Sequence, residues 1–281
     1  MTTLVVRRLL VDLEAPFGRR WNGGDAFRTA FFNALSMSFP AGEQFFIDAV
    51  RAGIERLPAQ AQSRFRPELQ GFIGQEATHR RIHARFNDQL ARQGHVNTWD
   101  ARIVARAKRL AGADPRHAVA ITAATEHFTA IFAEHLLSSS EALAGTEDRL
   151  CTLWRWHTAE ESEHRSTAFD LYLELGGNLV WRRRWMRVVT IFFAADLLRQ
   201  TLRNLWHDGA LLRWSTWRSA GRFLFGADGL VRHTWRPWRA YFEADFHPSR
   251  QGGERGAAWL AAHAAQVSVV GTPVQAVGST G

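Results

Sequence analysis

One short pattern, Glu-x-x-His, occurs twice on what read as apolar helix seams, and each copy follows a lone glutamate at nearly the same distance. Glu43 precedes Glu76-x-x-His79 by 33 residues, and Glu126 precedes Glu161-x-x-His164 by 35. Fifteen Glu and twelve His spread over 281 residues supply about 0.6 such pairs by chance, so one copy alone carries little weight. Two copies in register with the apolar pattern are harder to obtain by accident. The seams run through Leu69, Phe72, Glu76, His79, His83, Phe86 and Leu90, and through Leu150, Trp154, His157, Glu161, His164, Ala168, Leu171 and Leu175, with spacings of three and four. A third seam, Val119, Ala123, Glu126, Ala130, Ala133 and Leu137, and a fourth, Glu43, Phe46, Val50 and Leu57, each turn one Glu inward.

Helical periodicity holds from Asp25 to about Leu175, and no alternating run is long enough to argue for a sheet, so the expected class is all-α. The first helix is expected to open at Asp25 as N-cap and to kink or restart at Pro40. A second is predicted from Pro67 to Gln93, ended by Gly94, and a shorter piece over Thr98 to Leu110. Pro115 to about Leu137 and Glu147 to Leu175 complete the set. The expected organisation is an N-terminal segment (1–24), a four-helix body (25–177), an Arg/Trp-rich amphipathic helical extension (178–250) and a loose tail (251–281).

Burying four carboxylates without partners would cost many kcal/mol, since one isolated ion in a low-dielectric interior already costs several. Cations are therefore expected among them. One Glu from each of two helices plus Glu-x-x-His from each of the other two is the ligand set of di-iron and di-manganese carboxylate proteins. Residues at i and i+3 share a helix face, so each Glu-His pair can reach one ion or two neighbouring ones. Four carboxylates balance two divalent ions. Oxygen and imidazole donors suit iron first, with manganese or zinc admitted, and the single Cys151 can form neither an internal disulfide nor a thiolate site. The predicted ligands are Glu43, Glu76, His79, Glu126, Glu161 and His164, with Glu76, Glu161 and His164 assigned to the chemistry. Glu160 and Glu163 flank Glu161, which is preferred because it precedes His164 by three. His83 and His157, one turn from the paired ligands, read equally as added ligands, partners of ligands or hydrogen-bonded core histidines.

The stretches FFNALSMSFPAGEQFF (Phe31–Phe46), GFIGQEATHRRIH (Gly71–His83) and WHTAEESEHRSTAFDLY (Trp156–Tyr172) resemble the bacterial predicted metal-dependent hydrolases, a family similar to the ferritin-like di-metal superfamily. The resemblance spans roughly Val5 to Phe246. It implies a ferritin-like four-helix bundle and a metal-dependent reaction, and its hydrolase label is itself a prediction. The ligand set favours an oxygen-activating oxidase or oxygenase acting on a small apolar substrate. Hydrolysis by a metal-bridged hydroxide and a non-enzymatic metal-binding bundle are the alternatives.

The formal charge is +8, with Lys108 the only lysine. Between Asn178 and Arg250 thirteen Arg face five acidic residues, and eight of the twelve Trp lie from Trp181 onward. No helix-turn-helix or RNA-binding motif accompanies this charge, so nucleic acid is not an expected partner. Covering the body with indoles while Arg side chains reach outward is one reading, and lying on an anionic membrane surface is another. The longest charge-free apolar run there, Val188 to Ala195, is far short of the about 20 residues that span a bilayer. Asp12 and Glu14 break the N-terminal apolar run, which points to a cytoplasmic chain, peripheral to the inner face of the membrane at most. A homodimer is compatible with the sequence.

Overall fold

Asp25 caps the first helix as expected, its Oδ1 accepting from the Arg28 backbone N–H at 2.9 Å. In the computed structural model, which describes residues 4–270, helix α1 runs Ala26–Ile54 without a restart at Pro40. Proline removes the donor that would have bonded the Ser36 carbonyl. Asn87 replaces it, its Nδ2 donating to Ser36 O at 2.9 Å, so the helix continues.

Helix α2 (Ala59–Arg92) begins eight residues before the predicted start, with Pro67 inside it. Ser63 and Pro67 both face solvent, where water can serve the freed Ser63 carbonyl. Helix α3 (Trp99–Lys108) and helix α4 (Pro115–Ser138), capped by Asp114, follow the expected spans. The predicted helix from Glu147 to Leu175 is instead two, α5 (Asp148–His164) and α6 (Thr167–Glu174). At the break the Arg165 guanidinium bonds the Ser162 carbonyl, which a continuous helix would have offered to the next turn.

Helix α1 packs on α2 and on α4, and α4 packs on α5. Helix α7 (Leu179–His207) lies against α1 and α4, α8 (Trp214–Phe225) against α1, and α9 (Leu230–Ala240) against α4. No helix among the described residues is long and apolar enough to cross a membrane.

The segment from 251 is not loose as far as residue 270. Helix α10 (Glu254–Ala262) packs on α5 and α4, and Gly256 lies so close that a Cβ there would stand 1.8 Å from Ser162 Oγ. Strand β2 (Val267–Val269) then pairs antiparallel with β1 (Arg7–Leu9), Arg8 opposite Ser268. Small residues broken by Gly and Pro suggest a loose tail, whereas a small residue such as Gly256 is what close packing there requires. Residues 271–281 of the predicted tail lie outside the described residues.

Two buried apolar clusters form the core. Phe32, Phe86, Leu90 and Trp154 belong to one, and Phe46, Phe72, Val119 and Leu171 to the other. Along α2 the order is Phe72, Glu76, His79, His83, Phe86, and along α5 and α6 it is Trp154, His157, Glu161, His164, Ala168. A polar layer of glutamates and histidines thus lies between two hydrophobic ones.

Candidate metal centre

The seam positions that α1, α2, α4 and α5 turn inward bring all six predicted residues into this layer. None of Glu43, Glu76, His79, Glu126, Glu161 and His164 is more than 4 % exposed. One ligand atom from each of Glu76, His79, Glu161 and His164 lies within 4.8 Å of the others, and the same holds for Glu43, His79 and His157. Glu161 stands at the junction, its Oε1 at 3.2 Å from His79 Nδ1, 2.9 Å from His157 Nε2 and 3.7 Å from His164 Nε2. Glu126 Oε2 meets His164 Nδ1 at 2.8 Å, Glu76 Oε1 lies 3.4 Å from His164 Nε2, and Glu43 Oε1 lies 3.7 Å from His157 Nε2.

Buried polar atoms are nearly always hydrogen-bonded, so exceptions call for an explanation. Here both oxygens of Glu43 and of Glu76, one oxygen each of Glu126 and Glu161, His79 Nδ1 and His164 Nε2 are buried with no hydrogen-bond partner. Eight such atoms on six neighbouring residues would be satisfied by a shared ligand that accepts lone pairs. Divalent metal fits that donor set of carboxylate oxygen and imidazole nitrogen.

The electrostatics agree. Burial raises Glu43 and Glu76 well above the usual carboxylate range. Burial also carries Glu126 up to about 7, against the attraction of His164. Glu161 is held well below the usual range, because the His164 charge, the bond from His157 and the nearby His79 overcome its burial. Burial would lower His79, yet its bond to Glu160 and the negative charges of Glu160 and Glu161 raise it to about 10. Without cations, three of the four carboxylates are driven towards their protonated form.

His157 and His83 lie on a chain of bonds that leads to α1. Asn87 Nδ2 is committed to the Ser36 carbonyl, so Asn87 Oδ1 accepts from Ser36 Oγ at 2.8 Å. Ser36 Oγ must then accept from His83 Nδ1 at 2.9 Å, leaving His83 Nε2 to accept from His157 Nδ1 at 2.7 Å. Burial, with the charge of His79, lowers His157 to about 4. Its Nε2 faces two carboxylates of the centre, Glu161 Oε1 at 2.9 Å and Glu43 Oε1 at 3.7 Å. His83 touches no carboxylate of the centre and acts on it only through His157.

Two further residues bear on the site. Glu160 is fully buried, its Oε2 accepting from His79 Nε2 at 2.9 Å and its Oε1 from Arg7 Nη1 at 3.1 Å. Arg7 also bonds Glu163 at 2.7 Å. A carboxylate on the far nitrogen of a metal-binding histidine fixes its tautomer and ring orientation. Reading α5 as one seam hides this role, but α5 is buried on most faces, and the off-seam Trp156 and Ala159 are the signal that an off-seam glutamate would be buried too. Arg7 offers no comparable signal, since it reaches the site only because β1 crosses α2.

The family model described as "Predicted metal-dependent hydrolase" matches residues 5–252. Neither the curated proteins nor the solved structures contain a match. A match over that share of the chain shows the family, and the chain belongs to the predicted metal-dependent hydrolases.

Proposed function

We propose, with membership of that family as premise, that this chain is a ferritin-like dinuclear metal enzyme that activates dioxygen to oxidise an apolar substrate. The observation that carries the reading is the convergence of eight unpartnered donor atoms on six buried residues. Glu43, Glu76, His79, Glu126, Glu161 and His164, with His157, would hold the two ions. Iron suits these donors best, with manganese or zinc able to enter the same ligands. Bound iron would supply the electrons and the open coordination positions for oxygen. The protein's share is to hold imidazole tautomers fixed through Glu160 and His83 and to keep water away with Phe46, Phe72 and Phe39.

Hydrolysis is the second reading, favoured by the family's description. The same residues would then hold ions that lower the pKa of a bound water, with a raised carboxylate such as Glu126 managing its proton. Oxygen separates the two. Anaerobically reduced, iron-loaded protein should consume oxygen in proportion to its metal. Oxygen-independent turnover that zinc supports equally would overturn the oxidative reading in favour of hydrolysis.

The chain is proposed to work in the cytoplasm with its Arg/Trp-rich face against anionic lipid. Exposed Trp206, Leu212 and Trp214 among the surplus arginines support this. Salt-sensitive sedimentation with anionic but not neutral vesicles tests it.

A further inference from the structure

A cavity of about 900 Å³ opens beside the metal centre, near the top of the range for small-molecule sites. Glu43, His157 and Glu161 form part of its wall, so it reaches the proposed ligands directly. From there it extends between α1, α3, α4, α7 and α8 past side chains such as Leu35, Ile121, Phe128 and Phe193. Its far end meets the surface, where Phe192, Leu198 and Phe225 line it while standing 46 %, 57 % and 61 % exposed.

Polar groups are sparse along this wall. Apart from the metal-centre residues, the charged side chains lining it are Arg106, on α3, and Arg109, the residue just past its end. Arg106 pairs with buried Asp196 and lies over the Phe192 ring, 4.3 Å from its centroid. Asp196 is shared with Arg102 and Arg199, so one carboxylate faces three guanidinium groups. Arg109 makes no ion pair among the described residues. Positive charge is thus in excess at one part of an otherwise apolar cavity whose other part ends in metal ligands.

We propose that the cavity binds a single long hydrocarbon chain carrying an anionic head, with the head at Arg106 and Arg109 and a chain carbon brought against the centre. The volume exceeds what the small apolar substrate expected from sequence needs. The wall makes no demand for hydrogen bonds along its length, which suits methylene groups, and the excess arginine charge suits a carboxylate. The placement of the chain against the centre rests on the dinuclear reading above, while the binding of the chain does not.

Displacement of a fluorescent dansyl-undecanoate probe from the full chain tests the proposal, with metal content measured on the same samples. Hexadecanoate should displace the probe, and octanoate at least about a hundredfold less well, because each buried methylene contributes about 0.8 kcal/mol. Hexadecanol should bind at least about tenfold more weakly than hexadecanoate, and Arg109→Glu should remove most of that difference. Gly42 lines the cavity, and a Cβ added there meets nothing within 4 Å, so Gly42→Leu adds side-chain volume at the wall and should weaken hexadecanoate about tenfold. Failure of hexadecanoate to displace the probe overturns the proposal, as does unchanged affinity in Gly42→Leu. Equal binding of the alcohol overturns the assignment of the head. Chain binding by protein that never holds metal would leave this site standing and remove the dinuclear reading instead.

Discussion

Replacing Glu160 by Gln probes how the centre is held without touching a proposed ligand. The glutamate is fully buried, and its two oxygens divide between His79 Nε2 at 2.9 Å and Arg7 at 3.1 Å. Gln keeps the shape and one acceptor but removes the charge that fixes the His79 proton on Nε2 and turns Nδ1 towards Glu161. Loss of such a partner weakens metal binding about 10–100-fold, or about 1.4–2.8 kcal/mol. Arg7 keeps Glu163 at 2.7 Å, so the N-terminal strand should stay docked. Competition with a chromophoric chelator gives the affinity, and elemental analysis at saturation gives the stoichiometry. The expected result is weaker binding with the number of ions unchanged. Affinity within twofold of wild type would refute the claim that Glu160 orients His79, and a lost ion would make Glu160 itself a ligand.

Asn87→Leu leaves the Ser36 carbonyl opposite Pro40 without a donor, and should cost about 1–3 kcal/mol in denaturant unfolding; Pro40→Ala in the same chain restores a helical donor and should recover part of it. Metal binding should release protons, because Glu43, Glu76 and Glu126 hold theirs above the usual carboxylate range in the metal-free fold. Affinity should therefore rise with pH through the value of about 7 reached by Glu126 and on towards the value of about 10 reached by His79, and a weakly buffered titration with a pH indicator reads the release. The sign for stability follows from the same groups. With Glu126 raised to about 7 and His79 to about 10, the metal-free fold binds these protons more tightly than the unfolded chain; the lowered histidines, His157 among them, oppose this only below the ordinary histidine range, so stability should fall as pH rises above that range towards the His79 value, whereas added metal should remove the trend.

The seams of α2 and α5 were legible because burial and helical period coincide there. Every seam residue from Leu69 to Leu90 and from Leu150 to Leu171 is buried in the structure, with Glu76, His79, Glu161 and His164 among them. Helix interruptions were read less well, because they depend on partners distant in sequence. Pro40 looked like a break, but Asn87 supplies the missing donor from another helix. The break after His164 carries no Gly or Pro and is marked instead by the Arg165 side chain on the Ser162 carbonyl. On α4 the seam drifts, so that Leu136 is buried where Leu137 was expected. The pairing of β1 with β2 joins segments some 260 residues apart, and strands of three residues leave no periodicity to find. At the site, the role of Glu160 was hidden by treating α5 as one-sided. His157 meets Glu43 and His79 through the packing of α1, α2 and α5, which no spacing records.

Metal content bears most directly on the centre itself. Protein purified from its native host should contain two transition-metal ions per chain by elemental analysis. The Glu76→Ala/Glu161→Ala double variant should lose them while keeping the helical circular dichroism of the parent. A wild-type chain that is fully folded and active without metal, or a double variant that retains both ions, would contradict the account.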